Sequence, residues 1–138
     1  MRFLQSAGGG PVNANVSSFD GAGRRLHIGE GASLSATRES NAGGLTLQGG
    51  QLTSFSTFTL GPTTVNESSV LNPSRITGPG AVVLLGNTDV LGTLEFRGSG
   101  QVSNSGTLTQ SGNGNTSLWF GYDFRNRSGG VVDLRNDN

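Results

Sequence analysis

The sequence contains no cysteine and no lysine, and its only histidine is His27. Without cysteine the chain can form neither disulfides nor thiolate metal sites. A transition-metal site would need carboxylates beside His27, and the acidic residues are spread thinly, without an Asp-x-Asp or Glu-x-x-Glu cluster. Strand alternation places His27 at the surface if its neighbours Leu26 and Ile28 point inward. We therefore predict no metal site, no cofactor and no catalytic residues, and hence no enzyme.

Long basic runs and long apolar runs are also missing. The formal net charge is zero, and no basic run is longer than Arg24-Arg25. Nucleic acids and anionic membranes attract clustered basic side chains, so we predict no nucleic-acid partner. No stretch approaches the roughly 20 apolar residues that span a bilayer, which predicts no membrane insertion. Met1-Arg2-Phe3-Leu4-Gln5 begins like a signal peptide without the apolar segment that should follow. This pattern indicates a chain not exported by that route, a mature chain or a piece of a larger protein.

Glycine, by contrast, is abundant, and the apolar residues follow a regular pattern. A globule of 138 residues with 24 glycines and only 32% hydrophobic residues would have difficulty building a thick core. The apolar residues alternate with threonine and serine in short runs bounded by glycine, as in Gly44–Gln48 and Gln51–Phe55 around Gly49-Gly50. This alternation predicts many short β-strands, and we predict no helix.

A turn in which asparagine is followed closely by glycine recurs before three of these strands. It begins at Asn41, Asn104 and Asn126, and the first interval is close to three times the second. Such spacing is typical of a solenoid. We predict an all-β parallel solenoid of about six coils, roughly 21–22 residues each, over residues 20–138, preceded by an irregular segment over residues 1–19. The three asparagines should then form a structural ladder at one corner. A β-sandwich also has many short strands, but the recurrent spacing favours the solenoid.

The second half of the chain resembles the repeats of large bacterial surface proteins. The segments that carry the resemblance are Ile76-Thr77-Gly78-Pro79-Gly80, Leu91-Gly92-Thr93-Leu94, Val102–Thr109 and Phe124–Val131. They look like the repeats of filamentous-haemagglutinin-like adhesins and autotransporter passengers, closely over residues 70–138 and loosely over residues 20–60. The resemblance implies a right-handed parallel β-helix and an extracellular or cell-surface location. Because that family shares no common catalytic residues, it supplies none for this chain.

The segment Leu118–Phe124 stands apart because it contains four aromatic residues within six positions. Strand alternation puts Leu118, Phe120, Tyr122 and Phe124 on one face, which predicts core packing, and Trp119 on the other. An exposed tryptophan is often a contact for a sugar or another subunit. Trp119 is therefore our candidate surface contact, with simple surface cover as the alternative.

Three hypotheses for function follow. The first is a non-enzymatic extracellular structural β-solenoid, either a rod segment of a bacterial surface adhesin or a subunit that stacks end to end into a filament. Its partners would be further copies or neighbouring segments of a longer chain, joined through the solenoid ends, with glycans as a further candidate. The second is a carbohydrate-active module that binds or cleaves polysaccharide. The third is an ice-binding solenoid, which would require regular ranks of threonine such as Thr57-Phe58-Thr59.

Overall fold

A computed structural model describes residues 12–66, 72–112, 117–121 and 123–135. These residues form β-strands only, without a helix that could cross a membrane. The strands are β1 (Asn13–Val16), β2 (Asp20–Ile28), β3 (Ser33–Ala36), β4 (Ser40–Leu47), β5 (Gln51–Ser54), β6 (Thr57–Leu60), β7 (Thr63–Val65), β8 (Ser74–Thr77), β9 (Ala81–Leu84), β10 (Thr88–Val90), β11 (Leu94–Arg97), β12 (Gln101–Asn104), β13 (Thr107–Gln110), β14 (Leu118–Phe120), β15 (Asp123–Asn126) and β16 (Val131–Leu134).

The strand pairs of the described residues are all parallel, and each strand pairs with its counterparts in the neighbouring coils. One sheet, face 1, has the order β1-β3-β5-β8-β11-β14. The other sheet bends into two faces. Face 2 contains the starts of β2 and β4 with β6, β9, β12 and β15, and face 3 contains the ends of β2 and β4 with β7, β10, β13 and β16. This arrangement confirms the predicted parallel β-solenoid of about six coils.

The coils are numbered by their face 1 strands. Coil 1 contains β1 and β2, coil 2 contains β3 and β4, and each later coil contributes three strands, ending with β14–β16 in coil 6. The coils differ in length, as the uneven spacing of equivalent face 1 positions along the chain shows. Those positions are Asn13, Ser33, Gln51, Arg75, Glu95 and Trp119. The mean coil length agrees with the sequence prediction, but no single length repeats throughout.

The solenoid begins earlier than the sequence suggests. Strand β1 lies within the segment predicted to be irregular, yet it pairs with β3 in register, Asn13 opposite Ser33 and Val16 opposite Ala36. Its polar residues Asn13 and Asn15 alternate with Ala14 and Val16, which pack against the core. The predicted boundary between residues 19 and 20 is therefore wrong, because it falls inside coil 1. Residues 1–11 lie outside the described part of the chain.

The core is a thin column in which each buried side chain lies between its equivalents in adjacent coils. On face 1 the inward column is Leu34, Leu52, Ile76 and Phe96, all fully buried. Leu45, Leu47 and Leu108 on face 3, and Leu94 at the start of β11, are also fully buried. Because every coil shares its apolar contacts with two neighbours, few apolar residues per coil suffice to exclude water.

Glycines allow the coils to approach closely at the corner between faces 2 and 3. A Cβ atom at Gly106 would overlap the carbonyl oxygen of Gly86, and one at Gly61 would overlap that of Gly43. Any larger residue would push the neighbouring coil away. The glycine content of the sequence is thus partly a consequence of stacking.

Buried hydroxyl groups satisfy backbone groups at the turns between strands. Ser74 Oγ accepts a hydrogen bond from Gly49 N at 2.9 Å, and Ser40 Oγ accepts one from Phe19 N at 2.9 Å. Thr63 Oγ1 donates to Gly61 O at 3.1 Å. Each of these hydroxyls lies inside the solenoid, where an unpaired backbone group would be costly.

Candidate functional site

Two of the three predicted ladder asparagines meet. Asn104 in β12 and Asn126 in β15 are register partners, and Asn104 Nδ2 donates to Asn126 Oδ1 over 2.9 Å. Asn104 is fully buried, and its Nδ2 also lies 3.0 Å from Gly106 O and 3.0 Å from Val131 O. Asn126 Nδ2 donates in turn to Gly130 O at 2.6 Å. The pair therefore ties together the turns of coils 5 and 6, which is a structural role.

Asn41 does not belong to this ladder. Its equivalents on successive coils are Thr59, Val83 and Ser103, whereas Asn104 continues the column of Ala42, Leu60 and Leu84. The column of Asn41 thus reaches Ser103, the residue immediately before Asn104. Because successive strand side chains point to opposite faces, this offset of a single position turns Asn41 outward while Asn104 points inward.

Trp119, the candidate surface contact, lies on the outer side of face 1 opposite Glu95 of coil 5. It is 50% exposed. The guanidinium carbon of Arg97 lies 5.1 Å from the centre of its ring, a cation–π distance. A Cβ atom at Gly121 would overlap the six-membered ring of Trp119, so glycine there lets the indole lie along the strand.

The inward side chains of the segment Leu118–Phe124 pack against the core, as the alternation predicts. The ring of Phe120 stacks on Phe96 at 5.5 Å between centroids and 3° between planes, and Phe124 lies 6.4 Å from Phe96. Leu118 also packs against the core. Tyr122 lies outside the described residues.

Beside Trp119, a three-residue ion cluster forms on face 1 that the sequence pattern does not reveal. Glu95 Oε2 lies 2.9 Å from Arg75 Nε and 2.8 Å from Arg97 Nε, and Arg97 Nη2 donates to Glu95 Oε1 at 3.2 Å. Burial acts to raise the pKa of the Glu95 carboxyl, but the hydrogen bonds from Arg75 and Arg97 outweigh it, and the pKa is lowered from 4.5. The carboxylate therefore stays ionised at neutral pH.

A polar groove of about 300 Å³ runs along the corner where face 1 begins. It crosses coils 1 to 4 and ends at Arg75. Its polar lining residues are Asn13, Ser33, Gln51, Asn72 and Arg75, and the remaining lining positions are mostly glycine. The groove, the ion cluster and Trp119 follow one another along the solenoid axis, and we call this surface the face 1 stripe.

The single histidine and the acidic residue Asp89, both on face 3, lie apart from this stripe. His27 is half-buried on face 3, between the fully buried Leu26 and Ile28, so it points outward as predicted. Asp89 is exposed between Thr64 and Thr109 of the adjacent coils. In the described part of the chain, no three histidine or acidic side chains gather as metal ligands would.

The chain was compared with known protein families, curated proteins and solved structures. No protein-family model, curated protein or solved structure matches the chain. The fold itself, a parallel β-solenoid with repeat character, is shown by the structure.

The last coil differs from the others in the exposure of its interior positions. Phe120 and Val132 are each 38% exposed, and Leu134 is 61% exposed. Their register partners in coil 5 are buried. Phe96 and Leu108, the partners of Phe120 and Val132, are fully buried, and Gln110, the partner of Leu134, is 4% exposed. Phe124 is half-buried opposite the fully buried Val102. The sequence predicts that Phe120 and Phe124 face inward, and Val132 and Leu134 also continue inward columns. None of these side chains is enclosed, because no strand of the described residues pairs with the outer edges of β14, β15 and β16.

Proposed function

We propose that this protein is a non-enzymatic structural β-solenoid that works outside the cell or at its surface and extends axially, with another coil of the same fold covering coil 6. It would be a rod segment of a bacterial surface adhesin or a subunit that stacks end to end. The observation that carries the proposal is the exposed interior of coil 6. The adhesin-like repeats of residues 70–138 support the same role.

The open end presents both of the groups that a further coil would use. The outer edges of β14–β16 carry backbone donors and acceptors without strand partners in the described residues, and such an edge is a template for another strand. Inside that edge, Phe120, Val132 and Leu134 offer apolar surface in register with the core below. A further coil would pair with the edge and bury these side chains in one step.

The two ends of the described solenoid are not equivalent. In coil 1 the interior residues Leu26 and Ile28 of β2 are fully buried, although among the described residues β2 pairs with β4 alone. The sequence predicts association through both ends. The interior of coil 1 is buried at Leu26 and Ile28, whereas the interior of coil 6 is exposed, and this difference favours the coil 6 end. We therefore place axial extension at β14–β16.

The proposal is tested by charging the coil 6 interior. The double variant Val132→Arg with Leu134→Arg should abolish concentration-dependent assembly, measured by light scattering and electron microscopy, while the far-UV circular dichroism of the fold is retained. The matched control is Leu85→Arg, because Leu85 is 57% exposed at a lateral corner of coil 4 and should not take part.

Each outcome separates the alternatives. If the wild-type protein stays monomeric at high concentration, stacking of separate copies is refuted, and continuation within one long chain takes its place. If the coil 6 variant assembles as well as the wild type, axial extension is refuted in favour of lateral contacts. If Leu85→Arg also blocks assembly, the effect is one of added charge and not of the coil 6 end.

The other functions have less support. An ice-binding face would need threonine repeated along a column, but the neighbours of Thr59 on face 2 are Asn41 and Val83. A polysaccharide lyase would need several acids to hold calcium and a base to remove a proton. In the described residues Glu95 is paired with two arginines, so it is poorly suited to act as a base.

A further inference from the structure

We infer that the face 1 stripe binds an extended acidic polysaccharide along the solenoid axis, with Arg75 holding a sugar carboxylate and Trp119 stacking on a sugar ring. This site goes beyond the structural role proposed above and does not depend on it. The stripe faces sideways, so a coil added to coil 6 would not cover Arg75 or the groove.

The guanidinium group of Arg75 has donors that are not used within the described part of the chain. Its Nε is engaged by Glu95, but its Nη1 and Nη2 make no hydrogen bond in the described part of the chain. The side chain is 39% exposed and lines the end of the groove. Two parallel guanidinium donors match the two oxygens of a carboxylate, which is the planar recognition that arginine provides and a hydroxyl group does not use fully.

The ion cluster fixes Arg75 in this position. The Glu95 carboxylate lies between Arg75 and Arg97 and accepts hydrogen bonds from both. The lowered pKa of the Glu95 carboxyl keeps it charged. Arg97 in turn lies over the ring of Trp119. The arginine, the glutamate and the tryptophan therefore form one ordered surface, and little side-chain freedom remains to be lost when a ligand binds.

The spacing of the stripe suits a polymer. Arg75 and Trp119 occupy equivalent positions two coils apart, which corresponds to roughly 9.6 Å at about 4.8 Å per strand. One strand spacing is close to the advance per ring of an extended hexose chain, so alternate sugars would meet Arg75 and Trp119. The exposed indole surface suits the C–H face of a sugar ring.

The charge of the stripe selects the acidic class. Arg75 and Arg97 outnumber Glu95 in the ion cluster, and the other outward residues of the same column, Asn13, Ser33 and Gln51, are neutral. Glu30 lies beside the groove and accepts a hydrogen bond from Asn72 Nδ2 at 2.7 Å, so the surplus positive charge is local to the Arg75 end of the stripe. The amides and hydroxyls of the groove can bond sugar hydroxyls of any hexose. The surplus positive charge at Arg75 favours a uronic-acid polymer over a neutral glucan.

The test uses polygalacturonate as the acidic probe and hydroxyethyl cellulose as the neutral one. Because Trp119 is the only tryptophan in the chain, its fluorescence reports directly on occupation of the site. Titration of the wild-type protein with polygalacturonate should change the emission, and affinity electrophoresis should show retardation by this polymer and not by hydroxyethyl cellulose.

Variants then assign the roles. Arg75→Gln and Trp119→Ala should each weaken binding of polygalacturonate at least tenfold, measured by affinity electrophoresis, with unchanged circular dichroism. The controls are Arg135→Gln, which removes an exposed arginine after face 3, and Phe55→Ala, which removes an aromatic side chain that is 52% exposed at another corner. Both controls should bind as the wild type does.

Three results would overturn the inference. Failure of the wild-type protein to bind polygalacturonate refutes the site. Equal retardation by hydroxyethyl cellulose refutes the selection for acid. Equal loss in Arg135→Gln and Arg75→Gln shows that binding follows overall charge and not the face 1 stripe.

Discussion

Truncation of Phe96 to alanine should destabilise the solenoid more than truncation of any aromatic residue in coil 6. Phe96 is fully buried in β11, between Ile76 of coil 4 and Phe120 of coil 6. The centre of its ring also lies 6.4 Å from that of the Phe124 ring. A void at this position would separate the face 1 side chains of coil 6 from the column of coils 2 to 4.

The magnitude follows from burial. An aromatic side chain removes roughly 150–250 Å² from water, and about 25 cal/mol is gained for each Å² of apolar surface. Alanine keeps part of this surface, while the cavity adds a cost of its own, so Phe96→Ala should lower the free energy of unfolding by about 3–5 kcal/mol. The half-buried Phe124 should cost less, about 2 kcal/mol.

Urea denaturation followed by far-UV circular dichroism measures both values, with the slope compared between variants to verify that the same surface unfolds. A Phe96→Ala loss below about 1 kcal/mol with an unchanged slope would refute the column packing described for face 1. If axial extension covers coil 6, the cost of Phe124→Ala should rise with protein concentration, because assembly then buries that ring.

Two further changes test the polar interior and the ion cluster. Asn104→Asp should lower the free energy of unfolding by about 3–5 kcal/mol at neutral pH. The reason is that a buried carboxylate would replace the Nδ2 donor and face the oxygens that this group now contacts, Gly106 O, Val131 O and Asn126 Oδ1. Urea denaturation should show partial recovery on acidification, and Asn126→Asp, at an exposed position, serves as the milder control. Glu95 has a folded-state pKa below its ordinary value of 4.5, so its stabilisation is present above that value and is lost as pH falls through the folded pKa. Glu95→Gln should therefore be less stable at neutral pH and should lose less stability on acidification, and an unchanged pH dependence would contradict the pairing with Arg75 and Arg97.

The sequence alone was sufficient to predict the architecture. Alternating apolar residues between glycine-rich turns predict short strands, and the interval between Asn104 and Asn126 predicts stacked coils of nearly that length. Both inferences depend on local patterns, since a strand of period two and a tight turn are properties of a few adjacent residues. The outward position of His27 and that of Trp119 follow from the same alternation.

Only the tertiary structure could decide which residues from different coils meet. Coil length varies, so that the equivalent positions Ser33 and Gln51 lie closer in sequence than Gln51 and Arg75, and an error of a single position moves a side chain to the opposite face. For this reason an average period placed Asn41 in the wrong column and left Arg75, Glu95 and Arg97 unconnected. The exposure of Phe120, Val132 and Leu134 also depends on position in the stack, because an inward-facing side chain is enclosed only when coils lie on both sides of it.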